Sequence, residues 1–109
     1  MLSFPWYPKE LNPNSSCHFH VKAKKKAIYK NECYCLTKMA KIPKSDYKEL
    51  HIIFYKPNRR HMDLDNMLAS MKSGLDGMCN ALEMDDRCFK KITIEVGDTI
   101  AGMVKIELK

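Results

Sequence analysis

The alternation of apolar and polar residues along the 109-residue chain predicts six elements in the order β-α-β-α-β-β. The first 16 residues contain three prolines, so an initial short strand must give way to a turn-rich connection. A helix is predicted from about residue 21 to residue 41, and Pro43 ends it. The apolar residues that recur on one side of this helix are Ile28, Cys35, Leu36 and Met39.

Three further segments have the composition of strands. HIIFYKP, residues 51–57, is rich in strand-forming residues and stops at proline. KITIEV and MVKIEL, joined by GDTIAG, predict a closing hairpin. These elements predict an α+β fold: a single small domain over residues 1–109, with a mixed sheet of about four strands and two main helices.

The most informative helix begins after Asp63. One broad apolar stripe, which we assign to the core, consists of Leu64, Met67, Leu68, Met71, Leu75, Met78 and Leu82. A second stripe contains Asp65, Ala69, Lys72 and Asp76, because offsets of 4, 7 and 11 residues return close to the same direction. A solvated, ion-paired face would by itself explain that second stripe.

Charge is unevenly distributed along the chain. Residues 1–62 carry 13 Lys/Arg against 4 Asp/Glu, whereas residues 63–109 carry 6 against 9. A basic half joined to an acidic half favours polyanion binding next to a cation site, although a lysine-rich surface also serves solubility alone. No apolar stretch approaches the roughly 18 residues of a membrane span.

Five cysteines, an odd number without regular spacing, favour a reduced cytoplasm over a secreted disulfide framework. A small zinc-bound interaction protein is one alternative that these residues leave open. Its ligands would come from Cys17, His18, His20, Cys33 and Cys35, but the Cys-x-Cys spacing has no well-spaced second pair.

Asp63 and Asp65 raise the question of how two neighbouring carboxylates are tolerated. Both side chains converge only if the backbone is extended just before the helix, and two ionised carboxylates there repel each other. A hard divalent cation such as Mg²⁺ removes that penalty and accepts oxygen ligands. The acidic pair Asp85 and Asp86 offers a third ligand. Asp65 is also a favoured residue type for an N-cap, and the two roles are compatible.

Three stretches together carry a family resemblance over nearly the whole chain: FPWYPKELNPNSS, RRHMDLDN and EMDDRCF. They resemble, in turn, the Pro-Trp-Pro-Pro and Asn-rich start, the Arg-rich approach to Asp-x-Asp-Asn, and the later Asp-Asp pair of RusA-type Holliday-junction resolvases. The phage and prophage-borne branch of that family is the most similar. The resemblance implies a bacterial cytoplasmic endonuclease that binds four-way DNA junctions as a homodimer, places paired symmetric nicks with Mg²⁺ (or Mn²⁺ in its place), and has no membrane or small-molecule partner.

The resemblance also implies roles for single residues. The catalytic, metal-binding carboxylates would be Asp63, Asp65 and Asp86, with Asn66 and Asp85 in support. The family has a functional lysine four residues after its second Asp, where this chain has Ala69. Lys72, just under one helical turn later, is the nearest candidate to replace it.

The position of Asp86 leaves two arrangements open. An unbroken helix over residues 65–82 would separate its ends by roughly 26 Å, and four more residues extend at most about 14 Å. Either the helix breaks near Gly74 and Gly77, or Asp86 completes the site of a partner subunit, which is the arrangement we favour here.

DNA affinity is expected to come from phosphate contacts with little sequence discrimination. The candidate residues are Lys22, Lys24, Lys25, Lys26, Lys30, Arg59 and Arg60. We expect the aromatic residues Phe4, Trp6 and Tyr7 to pack in the core rather than stack on bases. The alternative to a nuclease is a non-catalytic nucleic-acid-binding module. In that module Asp63, Asp65 and Asp86 cap helices and pair with Arg59, Arg60 and Arg87.

Overall fold

Four strands form one mixed sheet in the computed structural model, which describes residues 2–109. They are β1 (Leu2–Pro5), β2 (Glu49–Tyr55), β3 (Lys91–Val96) and β4 (Met103–Leu108). Their order across the sheet is β1-β4-β2-β3. β4 pairs antiparallel with both β1 and β2, and β3 pairs parallel with β2. The α+β class and the mixed four-stranded sheet are confirmed.

Three α-helices and two short 3₁₀ helices lie between the strands of the described chain. The α-helices are α1 (Phe19–Met39), α2 (Leu64–Ser70) and α3 (Lys72–Ala81). The 3₁₀ helices are Lys9–Leu11 and Asp86–Cys88. One continuous helix was predicted where α2 and α3 occur. The structure has two helices because Met71 interrupts the run, as the C-cap of α2 and the N-cap of α3.

The predicted closing hairpin is wrong, since β3 and β4 lie on opposite sides of β2. The six-residue loop 97–102 carries the chain over the end of β2. There the Gly97 N–H donates to the Phe54 carbonyl at 2.9 Å and the Gly102 N–H to the Lys56 carbonyl at 3.2 Å. β4 takes the inner position because it brings two nearly inaccessible residues, Val104 and Ile106, into the core. β3 is largely exposed and stays at the edge.

The sheet and helices enclose one apolar core. The side chains of Leu50, Ile52 and Phe54 alternate along β2 toward the helices and are at most 2% exposed. From the predicted stripe after Asp63, Met67, Met71 and Met78 are fully buried. Leu75 and Leu82 are also buried and Leu68 is partly buried, but Leu64 at the start of α2 is 39% exposed.

The buried face of α1 differs from the predicted one. Its buried residues are Tyr29, Cys33 and Thr37. Of the residues predicted to face the core, Leu36 packs partly against it, while Ile28, Cys35 and Met39 are exposed. α3 determines which face of α1 is buried. Gly74 and Gly77 of α3 lie so close to α1 that a methyl group at either position would collide with α1. Both glycines therefore serve helix–helix contact and do not break the helix.

Candidate functional site

Asp63 and Asp65 stand at the junction between a loop and α2. Asp63 is at the N-cap position with extended backbone (φ −76°, ψ 134°), and its side chain makes no capping hydrogen bond. Its Oδ1 lies 3.1 Å from Nε2 of His61 instead. Asp65 lies in the first turn of α2, where the helix dipole favours negative charge. The N-cap of α2 is therefore Asp63 and not Asp65, so that suggestion was wrong by two residues. The carboxylates of Asp63 and Asp65 are both exposed.

A cleft of about 460 Å³ is lined in part by the loop that leads from β2 to Asp63. Trp6 and Tyr7 from the N-terminal segment line it together with Lys9, Arg60 and His61. Phe4 and Tyr7 are buried, which confirms their packing role, and Trp6 packs edge-on against Phe54 with ring centroids 5.9 Å apart. Two basic side chains and an indole therefore line one concave surface near Asp63. Lys9 and His61 were not among the predicted site residues, because no local pattern marks them as part of a cleft.

A second charged group forms around Lys72 at the start of α3. Its ammonium donates to Oδ1 of Asp76 at 2.9 Å and also to Oδ2 of Asp86. The hydrogen bond to Asp86, and next the one to Asp76, raise the pKa of Lys72 above its usual range. Lys72 is therefore fully protonated at neutral pH. The spacing of four residues aligned Asp76 with Lys72, and the observed pair agrees with the ion-paired face that the sequence left open.

Asp86 reaches Lys72 within the same chain. α3 runs about 14 Å from Lys72 to Ala81 at 1.5 Å per residue, a distance that the residues after it can retrace. The reversal begins at Glu83, which is left-handed at φ 55°. The Met84 N–H donates to the Cys79 carbonyl and the Glu83 N–H to the Asn80 carbonyl, the pattern of a Schellman motif.

This geometry bears on how Asp86 could reach the other acidic residues, by a break in the helix or from a partner subunit. The break is at Met71 and not near the glycines, and Asp86 contacts Lys72 without a second chain. Asp65 lies seven residues before Lys72, about 10 Å along a helix. Within residues 2–109, no three Asp, Glu, His or Cys side chains come together in a group that could hold a metal ion. The structure thus gathers Lys72 and Asp86 but does not gather all three predicted ligands.

Ala69 and Lys72 share a wall of one cavity. This largely apolar cavity of about 400 Å³ is also lined by Asp86 and Phe89. The position where the resembled family has lysine and the position where this chain has it therefore face the same space. Asn66 is half-buried one turn earlier, and its backbone carbonyl accepts a hydrogen bond from Oγ of Ser70 at 2.7 Å.

The acidic pair after α3 is divided between two cations. Asp85 accepts from the Arg87 guanidinium through both carboxylate oxygens, at 2.8 to 3.2 Å, while Asp86 turns to Lys72. The side-chain hydrogen bonds from Arg87 hold the pKa of Asp85 well below its usual range. In the alternative module Arg87 was to pair with Asp86, but its observed partner is Asp85.

The predicted DNA-binding residues lie in three different surroundings. Lys24, Lys26, Arg59 and Arg60 are exposed, and Lys25 is partly so. The Lys22 ammonium donates to the Asn12 carbonyl at 3.3 Å, at the rim of the cleft. Lys30 differs, because it lines a cavity of about 550 Å³ with Asp76, Glu83, Asp85 and Asp86. Lys30 is exposed as well, but it lies beside acidic residues of α3 and of the turn that follows it.

The proposed zinc ligands are not assembled. Cys33 is buried and Cys35 is exposed. The rings of His18 and His20 lie against Phe19, with centroids 4.9 and 4.0 Å from its ring. Across residues 2–109, no helix has both the length and the apolar character needed to cross a bilayer.

Comparison with known proteins gives a relative but no function. The chain is 34% identical over 93 residues to an uncharacterized protein of Xylella fastidiosa (strain Temecula1 / ATCC 700964). The match covers 81% of this chain and 61% of the length of that protein. No family model matches the sequence.

Proposed function

We propose that the chain is a Mg²⁺-dependent, structure-specific endodeoxyribonuclease that resolves four-way DNA junctions by paired symmetric nicks, as a homodimer, in recombination and repair. The observation that carries the proposal is the contact between Lys72 and Asp86, 14 residues apart in sequence. Both were selected for one site on the basis of the family resemblance. Their meeting beside Ala69 supports Lys72 as the replacement for the family lysine.

The carboxylates of Asp63, Asp65 and Asp86 are the ligand type that Mg²⁺ prefers, but the three are not gathered into one group. Asp63 and Asp65 are exposed carboxylates with no Lys or Arg partner among the salt bridges of residues 2–109, and hard cations prefer such oxygens. Asp86 would have to act as third ligand from its place beside Lys72. A bound Mg²⁺ would supply an activated water and stabilise charge on the phosphodiester.

The chain's own residues have separable tasks in this proposal. Lys72 orients the Asp86 carboxylate, and Asp76 holds Lys72 in place through the same ammonium. The cleft lined by Trp6, Lys9 and Arg60 leads backbone phosphates toward Asp63, because its basic groups attract anions without reading bases. Affinity and cleavage therefore depend on different residues.

The test is a labelled immobile four-way junction incubated with purified protein, with Mg²⁺ or with EDTA. We expect paired nicks only with the metal. Asp63→Asn, Asp65→Asn and Asp86→Asn should each abolish nicking and keep junction binding in a gel shift. Asp98→Asn, which removes an exposed carboxylate in the β3–β4 loop, is the matched control and should cut normally.

Two results would overturn the proposal. If the protein binds junctions without nicking any branched substrate in Mg²⁺ or Mn²⁺, the non-catalytic nucleic-acid-binding module is the better explanation. That alternative is favoured by the divided positions of Asp65 and Asp86. If the variants lose binding together with cleavage while they remain folded, the separation of tasks is incorrect.

A further inference from the structure

The outer edge of β3 is available for pairing with another strand. On its inner side the Lys91 N–H donates to the Lys48 carbonyl and the Gly97 N–H to the Phe54 carbonyl. Alternate residues of a parallel strand bond to the same neighbour, so residues 91, 93, 95 and 97 face β2. The backbone groups of Ile92, Ile94 and Val96 therefore point away from the sheet.

The two edges of the sheet differ in how they are protected. β1 has four residues and ends in Pro5, and short strands with proline resist pairing. β3 has six residues, KITIEV, with no proline or glycine. Exposed edges of this kind are templates for another strand.

The edge also exposes apolar area. Ile92 is 49% exposed and Val96 is 40% exposed on the helix side of β3. Ile92 continues into the apolar cavity that Leu68 and Phe89 line. A strand added at this edge would cover these side chains and part of that cavity.

The charges along β3 select the partner. We propose that β3 pairs antiparallel with β3 of a second copy of this chain, about a two-fold axis at Thr93. In that register Lys91 of one copy faces Glu95 of the other, at both ends. Ile92 faces the second copy's Ile94, and their outward backbone groups form the hydrogen-bonded pairs.

Lys91 and Glu95 are both exposed enough to pair with a second copy of the chain. The Lys91 side chain is 68% exposed and lies 3.9 Å from Glu49. The Glu95 side chain is 54% exposed and accepts from His51 at 2.9 Å. The Lys91 and Glu95 positions would be non-hydrogen-bonded pairs, in which side chains approach most closely. This interface rests on the homodimer of the proposed function and names its contact, and the molar-mass measurement below tests it without a nuclease readout.

A charge-reversal experiment tests the register. Molar mass is measured by light scattering during gel filtration for the full chain, for Lys91→Glu, for Glu95→Lys, and for an equal mixture of the two variants. Each variant alone places like charges opposite each other at both ends, so we expect a dimer for the wild type and monomers for each variant. In the mixture each end joins opposite charges, so the dimer should return.

Two controls separate interface effects from structural ones. Lys24→Glu makes the same charge change on α1 and should remain dimeric. His51→Ala removes the bond to Glu95 without altering the edge charges and should also remain dimeric; circular dichroism verifies that every variant is folded. A wild-type monomer at all soluble concentrations, a dimer that survives both reversals, or a mixture that stays monomeric would each overturn the proposal.

Discussion

Gly77 offers a sharp test of how α1 and α3 are held together. A Cβ built at this position would lie 2.1 Å from the Lys30 carbonyl oxygen and 3.2 Å from the Tyr34 backbone nitrogen. Both are backbone atoms of α1 and cannot rotate away. Gly77→Ala therefore requires the two helices to separate.

The expected magnitude is the difference of two effects. Alanine in place of glycine favours a helix by about 1 kcal/mol where the position is free. Overpacking a well-packed core costs about 1 to 3 kcal/mol, and rigid backbone neighbours place this position at or above the upper end. Separation also loosens the contact of Gly74 with Tyr29 and Cys33. We expect a net loss of about 2 kcal/mol in the free energy of unfolding, or roughly 8 °C in Tm.

Urea and thermal unfolding followed by circular dichroism measure the effect, with Ser73→Ala as the matched control. Ser73 lies one turn earlier in α3, and its Oγ is buried with no hydrogen-bond partner within residues 2–109. Removing that oxygen should leave stability unchanged or raise it by about 1 kcal/mol. If Gly77→Ala is as stable as the wild type, the close contact between α1 and α3 is refuted.

Three further predictions follow from single observations. Tyr29→Phe should lower the free energy of unfolding by about 1 to 2 kcal/mol in urea titrations, because its hydroxyl donates at 2.7 Å to the last carbonyl of β1; an unchanged value would refute that hydrogen bond. A thiol reagent at pH 8 should label the exposed Cys35 rapidly and spare Cys33 and Cys79. Burial raises the thiol pKa of Cys33 to about 12 and that of Cys79 to about 11, which leaves little reactive thiolate. Equal labelling rates for all five thiols would contradict this. Replacing the three lysines at 24–26 with alanine should weaken junction binding and reduce the slope of log K against log salt by up to about 0.9 for each lost phosphate contact; an unchanged slope would move the DNA surface elsewhere.

Several features could be predicted because they depend on local sequence. The period of the apolar stripe after Asp63 identified Met67, Met71 and Met78, which are fully buried. Alternation along 51–57 identified β2 to within two residues at each end. The Lys72–Asp76 spacing of four residues predicted their alignment, and the salt bridge at 2.9 Å follows from it.

Other features depend on contacts that no local pattern encodes. The sequence between β3 and β4 is compatible with a hairpin, and only the burial of Val104 and Ile106 against β2 places β4 inside the sheet. Likewise Glu83 has none of the backbone freedom that marks glycine as a helix-ending residue, yet it takes the left-handed position there. The return of Asp86 to Lys72 could not be predicted without that turn.

The position of Lys72 is set by the core as much as by its ion pairs. Met71, which separates α2 from α3, is fully buried, and its sulfur lies 3.4 Å from the Tyr29 hydroxyl oxygen. The same hydroxyl donates to the carbonyl at the end of β1, so one side chain of α1 links the sheet to the helix break. Because Lys72 is the next residue, its direction is fixed by Met71, and the carboxylates of Asp76 and Asp86 only select its rotamer. Changes at the buried Tyr29 should therefore shift the ion pairs of Lys72 with Asp76 and Asp86.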